Sequence, residues 1–295
     1  MCISLSAPSK SFLVGEYLVT EAGPGIIINT EPRFELQLTK TADGYHDGLD
    51  AHCPSAKYLQ KHAAFFNEYQ LKFIDPHHQA GGFGASSSQF LMLYCAHHIL
   101  SGQNIDESKL LEAYWQNCYK DKGIKPSGAD IIGQLHGGIT YFHKGQNKIQ
   151  RLDWKFKDIS FYLFRTNKKV TTHIHLQQAI KFDRELFSSI VKDTYDAFLQ
   201  NDTMLFINAI NNYYNALLKQ HLVAANTINS ISKLQKSDKI LAAKGCGAMG
   251  ADVILVLADS AYEKEIIDLA ETLNLSDVAT NTSLSPGLNY AKEEC

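Results

Sequence analysis

The chain has 295 residues, with 28 Lys and Arg against 31 Asp and Glu, a formal net charge of −3, and 45% hydrophobic and 20% charged residues. That composition excludes a disordered tail, a collagen-like repeat and a membrane bundle. Near-balanced charge gives no broad basic field for nucleic acid or an anionic membrane, so any anion the protein handles must be held by local groups.

The opening alternates turn residues with β-prone runs at Cys2–Ser6, Ser11–Val14, Gly25–Asn29 and Phe34–Thr39, predicting a β-rich start. The pattern turns helical over Ser55–Leu71. A second helix over Ser86–Ile99 is apolar nearly all round and is expected in the core. Glu107–Lys120 reads as a third helix, followed by a Pro-Ser-Gly turn at Pro126–Gly128, a short helix over Ala129–Leu135 and a strand at Ile139–Phe142. After Lys155 the pattern restarts with a strand at Ile159–Phe164 and helices at Lys192–Gln200, Met204–Lys219 and Ala225–Gln235. A Gly-rich loop at Gly245–Gly250, a strand at Asp252–Leu257 and a helix at Tyr262–Leu273 complete it. Strands separated by helices around a new apolar set predict an α+β second lobe, with the boundary near Lys155. The division is thus 1–155 and 156–295.

The length lets each lobe bury a core without staples. Cys2, Cys53, Cys95, Cys118, Cys246 and Cys295 form no Cys-x-x-Cys pair, which suits a reducing cytoplasm rather than a disulfide scaffold or zinc finger. No apolar run reaches about 18 residues and the start lacks a signal core, so a soluble, unexported cytoplasmic protein is expected. His77-His78, His97-His98 and His173-Ile174-His175 place imidazoles close in sequence. Adjacent histidines face different sides of an element and no His-Glu-x-x-His is present, so zinc is not expected.

Three segments carry chemistry. Gly81-Gly82-Phe83-Gly84-Ala85-Ser86-Ser87-Ser88 leads into the buried helix. Glycines let backbone approach a ligand, and the free amides of a helix start attract phosphate oxygens. The serine hydroxyls add donors, one of which could reach a phosphate-bound Mg²⁺. A flexible turn with a serine cap would read the same. No Gly-Lys-Ser/Thr closes the segment, so it is not a Walker A loop. Ser6-Ala7-Pro8-Ser9-Lys10 and Gly15-Glu16-Tyr17 bracket an apolar strand with opposite charges, either at a cleft edge or merely in solvent. Lys244-Gly245-Cys246-Gly247-Ala248-Met249-Gly250-Ala251-Asp252 lies against a ligand or is a tight connection.

Taken together, in this order and spacing, the three segments resemble the signatures of the GHMP kinases, which phosphorylate galactose, homoserine, mevalonate and phosphomevalonate. Ala7-Pro8-Ser9-Lys10 with Gly15-Glu16-Tyr17 is similar to the family's APGKxxLxGEY/H, Gly82–Ser88 to GLGSSAA, and Lys244 with Gly247-Ala248 and Gly250 to KxxGAGGG. Details resemble the phosphomevalonate kinase branch: the Gly-Glu-Tyr form, Asp252, and Lys168-Lys169-Val170-Thr171-Thr172-His173 against TKxxxTSH. Pro126-Ser127-Gly128-Ala129-Asp130 resembles segments of both the mevalonate and phosphomevalonate kinases.

The resemblance implies a two-lobed α+β fold, with an N-terminal ribosomal-protein-S5-like lobe binding nucleotide and a C-terminal ferredoxin-like lobe closing the acceptor site. It implies an ATP-dependent kinase that phosphorylates phosphomevalonate in isoprenoid precursor synthesis. The alternatives are another small alcohol as acceptor, mevalonate included, or a catalytically weakened ligand-sensing module. ATP and Mg²⁺ are the implied cofactors, and a homodimer is an open expectation. Lys10 and Asp130 would be catalytic. Gly82, Gly84, Ala85, Ser86, Ser87 and Ser88 would hold the nucleotide, with Ser86 or Ser87 on the metal. Glu16, Ser127, Gly128, Lys169, His173, Gly247 and Ala248 would meet the acceptor. Four positions depart from the motifs: Ser9, Met249 and Ala251 replace glycines, and Ala85 replaces a loop serine. Side chains at any that need positive φ would cost on the order of 1 kcal/mol each. Mevalonate kinase's metal-binding glutamate corresponds to Tyr119, and the role is not transferred to nearby Asp121.

Overall fold

The structure, a computed structural model, describes residues 2–42, 44–48, 53–118, 125–166, 181–250 and 252–293. In chain order the first lobe holds β1 (Cys2–Val14), β2 (Pro24–Lys40), β3 (His46–Asp47), α1 (Pro54–Lys61), α2 (Ala63–Phe66) and β4 (Tyr69–Ile74). It continues with α3 (Ala85–Leu100), α4 (Glu107–Cys118), α5 (Ala129–His136), β5 (Ile139–His143) and β6 (Lys148–Leu152). The second holds β7 (Ile159–Arg165), α6 (Arg184–Gln200), α7 (Thr203–Lys219), α8 (Ala225–Leu234), β8 (Ile240–Cys246), β9 (Val253–Asp259), α9 (Glu263–Thr272) and β10 (Ser276–Thr280). A last strand, β11 (Asn289–Glu293), follows.

The paired runs expected at each end of β1 and β2 fuse into two long strands. β2 carries β1 along one edge, while its other edge pairs with β4 through Glu35–Lys40 and with β5 through Pro24–Ile28. Strand order is β11-β1-β2-β4-β3, with β6 beyond β5. The β1–β2 register slips between Pro8 and Ser9, where proline has no N–H to give the ladder. Lys10 stands just past that slip. α3 packs on β1 and β2 with α1 and α5 beside it, and its residues from Ser87 to Ala96 are all buried.

The helix expected over Ser55–Leu71 stops early. Tyr69, Leu71 and Phe73 are buried while Gln70 and Lys72 are exposed, the period-two alternation of a half-buried strand, and that stretch is β4. α6 begins earlier than expected because the Asp183 carboxylate accepts from the Leu186 amide and caps it. Lys244, Gly245 and Cys246, read as loop, end strand β8 instead. β6, β10 and β11 were not expected at all.

The second sheet is antiparallel in the order β10-β7-β9-β8. Counted within the lobe this is fourth, first, third, second, the ferredoxin-like β-α-β-β-α-β arrangement. The chain does not end in that lobe: β11 returns to pair with β1, Cys2 opposite Glu293. Arg33 fastens this crossing, donating to the Ser285 hydroxyl at 2.6 Å and the carbonyls of Pro286 at 2.7 Å and Gly287 at 2.9 Å. Among the described residues no helix is long and apolar enough to cross a membrane.

Candidate active site

Lys10 and Asp130 meet. Lys10 Nζ lies 3.0 Å from Asp130 Oδ1, with side-chain exposures of 12% and 34%, so the pair is sheltered but open to a ligand. β1 supplies the lysine and the first turn of α5 the aspartate. Upstream of α5 the Ser127 hydroxyl accepts from the Ala129 amide at 3.1 Å, and Gly128, at φ 82°, turns the chain into the helix. One turn beyond Asp130, the Gln134 Nε2 donates to the carbonyls of Pro8 at 2.9 Å and Gly84 at 3.2 Å. A single side chain thereby ties the β1 slip, the glycine loop and α5 together.

The glycine loop lies against Lys10. The Lys10 amide donates to the Phe83 carbonyl at 3.0 Å. Gly84, at φ 88°, is the N-cap of α3, and a Cβ there would sit 2.8 Å from Lys10 Cγ, so both its angle and its neighbour require glycine. From the other lobe Asp252 closes in, its Cβ 2.8 Å from where a Cβ on Gly82 would stand.

No side chain caps the 16-residue α3. Its first amides, on Ala85, Ser86 and Ser87, are the free donors that attract an anion. The serines divide. Ser86 is exposed and its hydroxyl can face a ligand. The Ser87 hydroxyl donates to the Gly84 carbonyl at 2.9 Å and is buried, so of the two expected metal ligands only Ser86 is available. Ser88 drops out of the nucleotide set: fully buried, it gives its amide to Gly84 and its hydroxyl to the Ala85 carbonyl. Among the described residues no three His, Cys, Asp or Glu side chains form a group that could hold a metal ion. An ion here would rely on the Ser86 oxygen and phosphate oxygens, a donor set that suits Mg²⁺.

Glu16 is not at an open edge. Its carboxylate is 3% exposed and 3.2 Å from Lys244 Nζ, which is fully buried. Lys244 Nζ also donates to the Phe12 carbonyl at 3.3 Å and lies 5.4 Å from the centre of the Tyr213 ring. The Tyr213 hydroxyl accepts from the Gly15 amide at 2.9 Å, and the Tyr17 hydroxyl from the Met249 amide at 3.0 Å. Burial pushes both phenols far up, so each is neutral. Glu16 therefore clasps the first segment to the third and cannot touch an acceptor in this conformation.

Of the motif departures, Met249 is left-handed at φ 57°, whereas Ser9 is in strand β1 and Ala85 in the first turn of α3, where any residue fits. Gly247, at φ 75°, faces open space. Ala248 lies beside it in the same loop, next to Met249. Lys168, Lys169, His173, Tyr119, Asp121 and Ala251 lie outside the described residues. Sequence reasoning assigned no role to Gln134, Tyr213 or Lys244. Gln134 was within reach, since it lies on the Asp130 face of α5 at i+4.

No protein-family model matches the sequence, and no curated protein matches it. Solved structures do. Streptococcus pneumoniae phosphomevalonate kinase, in complex with phosphomevalonate and AMPPNP, is similar at a TM-score of 0.76 and 14% identity over 94% of this chain and 98% of that one. L. major mevalonate kinase, in complex with R-mevalonate, gives 0.71 and 16% over 95% of each chain. Lactococcus lactis galactokinase, complexed with galactose, gives 0.77 and 12% over 98% of this chain and 95% of that one. The chain has the fold of the GHMP kinases. That fold is common to the phosphomevalonate, mevalonate and galactose kinases across nearly their whole length.

Proposed function

We propose that the protein is an ATP-dependent phosphotransferase acting on a small acceptor, with phosphomevalonate as that acceptor and isoprenoid precursor synthesis as its setting. The observation that carries this reading is the Lys10–Asp130 pair at 3.0 Å, beside the uncapped start of α3. The first lobe, with β11 added to its sheet, binds the nucleotide, and the lobe that begins at β7 closes over the acceptor. The triphosphate lies along Gly82–Ser87, where the amides of Ala85, Ser86 and Ser87 donate to its oxygens. The Ser86 hydroxyl is the ligand this chain would offer Mg²⁺, which when bound would supply charge neutralisation to the nucleotide.

Phosphoryl transfer needs mainly alignment and charge neutralisation, because its transition state is loose and its charge sits on the equatorial oxygens. Lys10 supplies that charge from a side chain that is 12% exposed beside the half-open Asp130 carboxylate, so its ammonium can reach a ligand. Asp130 holds the Lys10 ammonium in place. Toward an alcohol it would also take the hydroxyl proton, a role worth roughly 10²–10⁴ in rate. A phosphate acceptor, with a second pKa of about 6, is already largely ionised near neutral pH and needs no base. Phosphomevalonate as acceptor is supported by Gly15-Glu16-Tyr17 and Asp252, while the shared fold supports only a small-molecule kinase.

The test is a panel of mevalonate, phosphomevalonate, homoserine and galactose with ATP and Mg²⁺, read by ADP release and product mass. Phosphomevalonate should gain one phosphoryl group. Phosphorylation of another member alone would move the acceptor assignment and keep the kinase. ATP binding without turnover on any acceptor would replace the enzyme with a ligand sensor, and release of CO₂ would make it a decarboxylase.

A further inference from the structure

Ser9 stands where the resembling motif has glycine, and its hydroxyl is fully buried beneath the glycine loop. It donates to the Pro32 carbonyl at 2.6 Å and lies 2.6 Å from His77 Nε2. A carbonyl can only accept, so the Ser9 proton is spent on Pro32 and the histidine must donate to Ser9 Oγ. His77 Nε2 thus carries a proton, as it does in the neutral Nε2–H tautomer. Burial agrees, lowering its pKa to about 4 against the opposing pull of Asp75, with Arg165 and His78 adding to the fall. The Asp75 carboxylate fixes the backbone here, accepting from the amides of His77 at 2.8 Å and Gln79 at 2.9 Å.

The imidazole so held stacks on Phe83, with ring centres 4.2 Å apart and planes 16° apart, and Phe34 packs against it at 5.5 Å. Phe83 is the residue between Gly82 and Gly84, and its carbonyl receives the Lys10 amide. Glycines on either side leave this stretch little conformational preference of its own. Phe83 is held by the Lys10 amide on its carbonyl and, on its ring, by core packing that includes the stacked imidazole.

We propose that His77 is a positioning residue for the glycine loop: tethered by Ser9 and stacked on Phe83, it sets the Gly82–Gly84 backbone and, through Phe83, Lys10. The proposal rests on the reading of Gly82–Ser87 as the nucleotide's phosphate site. Ser9 then replaces glycine because it supplies the tether. The dependence is on two separable contacts, a ring and a hydrogen bond.

The experiment combines hydrogen exchange of the ligand-free protein with calorimetric ATP affinity and the kinetic constants, for H77A, H77F and S9A, each first shown to be folded by its thermal melt. H77A should speed exchange of the Phe83–Ser86 amides and weaken ATP at least tenfold while the KM for the acceptor stays within twofold. H77F keeps the stack and S9A keeps the ring, so each should lose less than H77A, about twofold to fivefold. S9A added to H77F should cost ATP affinity nothing further, since the Ser9–His77 bond is already gone, while loss of the Ser9–Pro32 bond shows only in the melt. If H77A does not fold, H77F and S9A carry the test alone. Unchanged loop exchange and ATP affinity in folded variants, with the unaltered protein binding ATP, overturns the positioning role and leaves the kinase reading standing. Failure of the unaltered protein to bind ATP overturns both.

Discussion

The turn-rich opening of the chain sends two charges into opposite surroundings a few residues apart. Lys10 meets Asp130 at 3.0 Å with exposures of 12% and 34%, whereas Glu16 meets Lys244 at 3.2 Å with exposures of 3% and 0%. The first pair joins β1 to the start of α5 inside one lobe and is partly exposed. The second joins the turn after β1 to β8 of the other lobe and faces no solvent. Water screens the first, so separating it costs little and its charges remain free to act on something else. The second has no such reserve, because a charge left alone there is neither hydrated nor paired. One pair is therefore suited to chemistry and the other to holding two lobes in register.

Breaking the sealed pair is the largest effect expected. Lys244→Ala or Glu16→Ala should each cost about 3–5 kcal/mol of unfolding free energy, measured by denaturant titration, because the surviving charge stays buried. Replacing both at once, with Glu16→Leu and Lys244→Met, should restore most of it. A loss below about 1 kcal/mol in both single variants would mean that water reaches the pair, and the contrast between the two pairs would vanish.

The open pair should behave in the reverse way. Lys10→Met and Asp130→Asn should each lower turnover at least a hundredfold, equivalent to about 2.7 kcal/mol of barrier, while stability moves by no more than about 1 kcal/mol. Near-normal turnover in either variant removes that residue from the mechanism. Conversely, if Asp130→Asn unfolds the chain as readily as Glu16→Ala, the first pair is structural too.

The contrast marks where sequence reading reached and where it stopped. The approach of Lys10 to Asp130 was legible, because each belongs to a recognisable segment whose neighbours, Pro8 and the Pro126–Gly128 turn, are local features. The short β4 was legible in principle, since Tyr69, Leu71 and Phe73 alternate with polar residues. A helical pattern just before it masked the change of period. Glu16 was misplaced for a different reason. Its charge pointed to solvent, and only the three-dimensional path of β8 brings Lys244 under it. β11 carries no apolar alternation of its own, because it pairs at the edge of the sheet beside β1, and an edge strand need not be buried on either face. Tyr213 gave no signal at all: a tyrosine on an amphipathic helix reads as core, and the Gly15 amide it serves lies 198 residues away.

The smallest effect concerns the loop on which the sealed pair leans. Met249 adopts φ 57°, its amide donates to Tyr17 and its carbonyl accepts from Ala224. A left-handed residue with a Cβ costs roughly 1–2 kcal/mol, so Met249→Gly should relieve strain without altering either hydrogen bond. Glycine also frees the unfolded chain, which takes back roughly 0.4–1 kcal/mol. The net expectation is a gain below about 1 kcal/mol in a melt, with turnover and ATP affinity unchanged. Gly247→Ala supplies the opposite sign in the same loop: at φ 75° the added Cβ meets open space, so any loss there comes from backbone strain alone. Should Met249→Gly destabilise instead, the methionine side chain holds the loop by packing. The departure from glycine would then be a contact the second lobe uses rather than strain it tolerates.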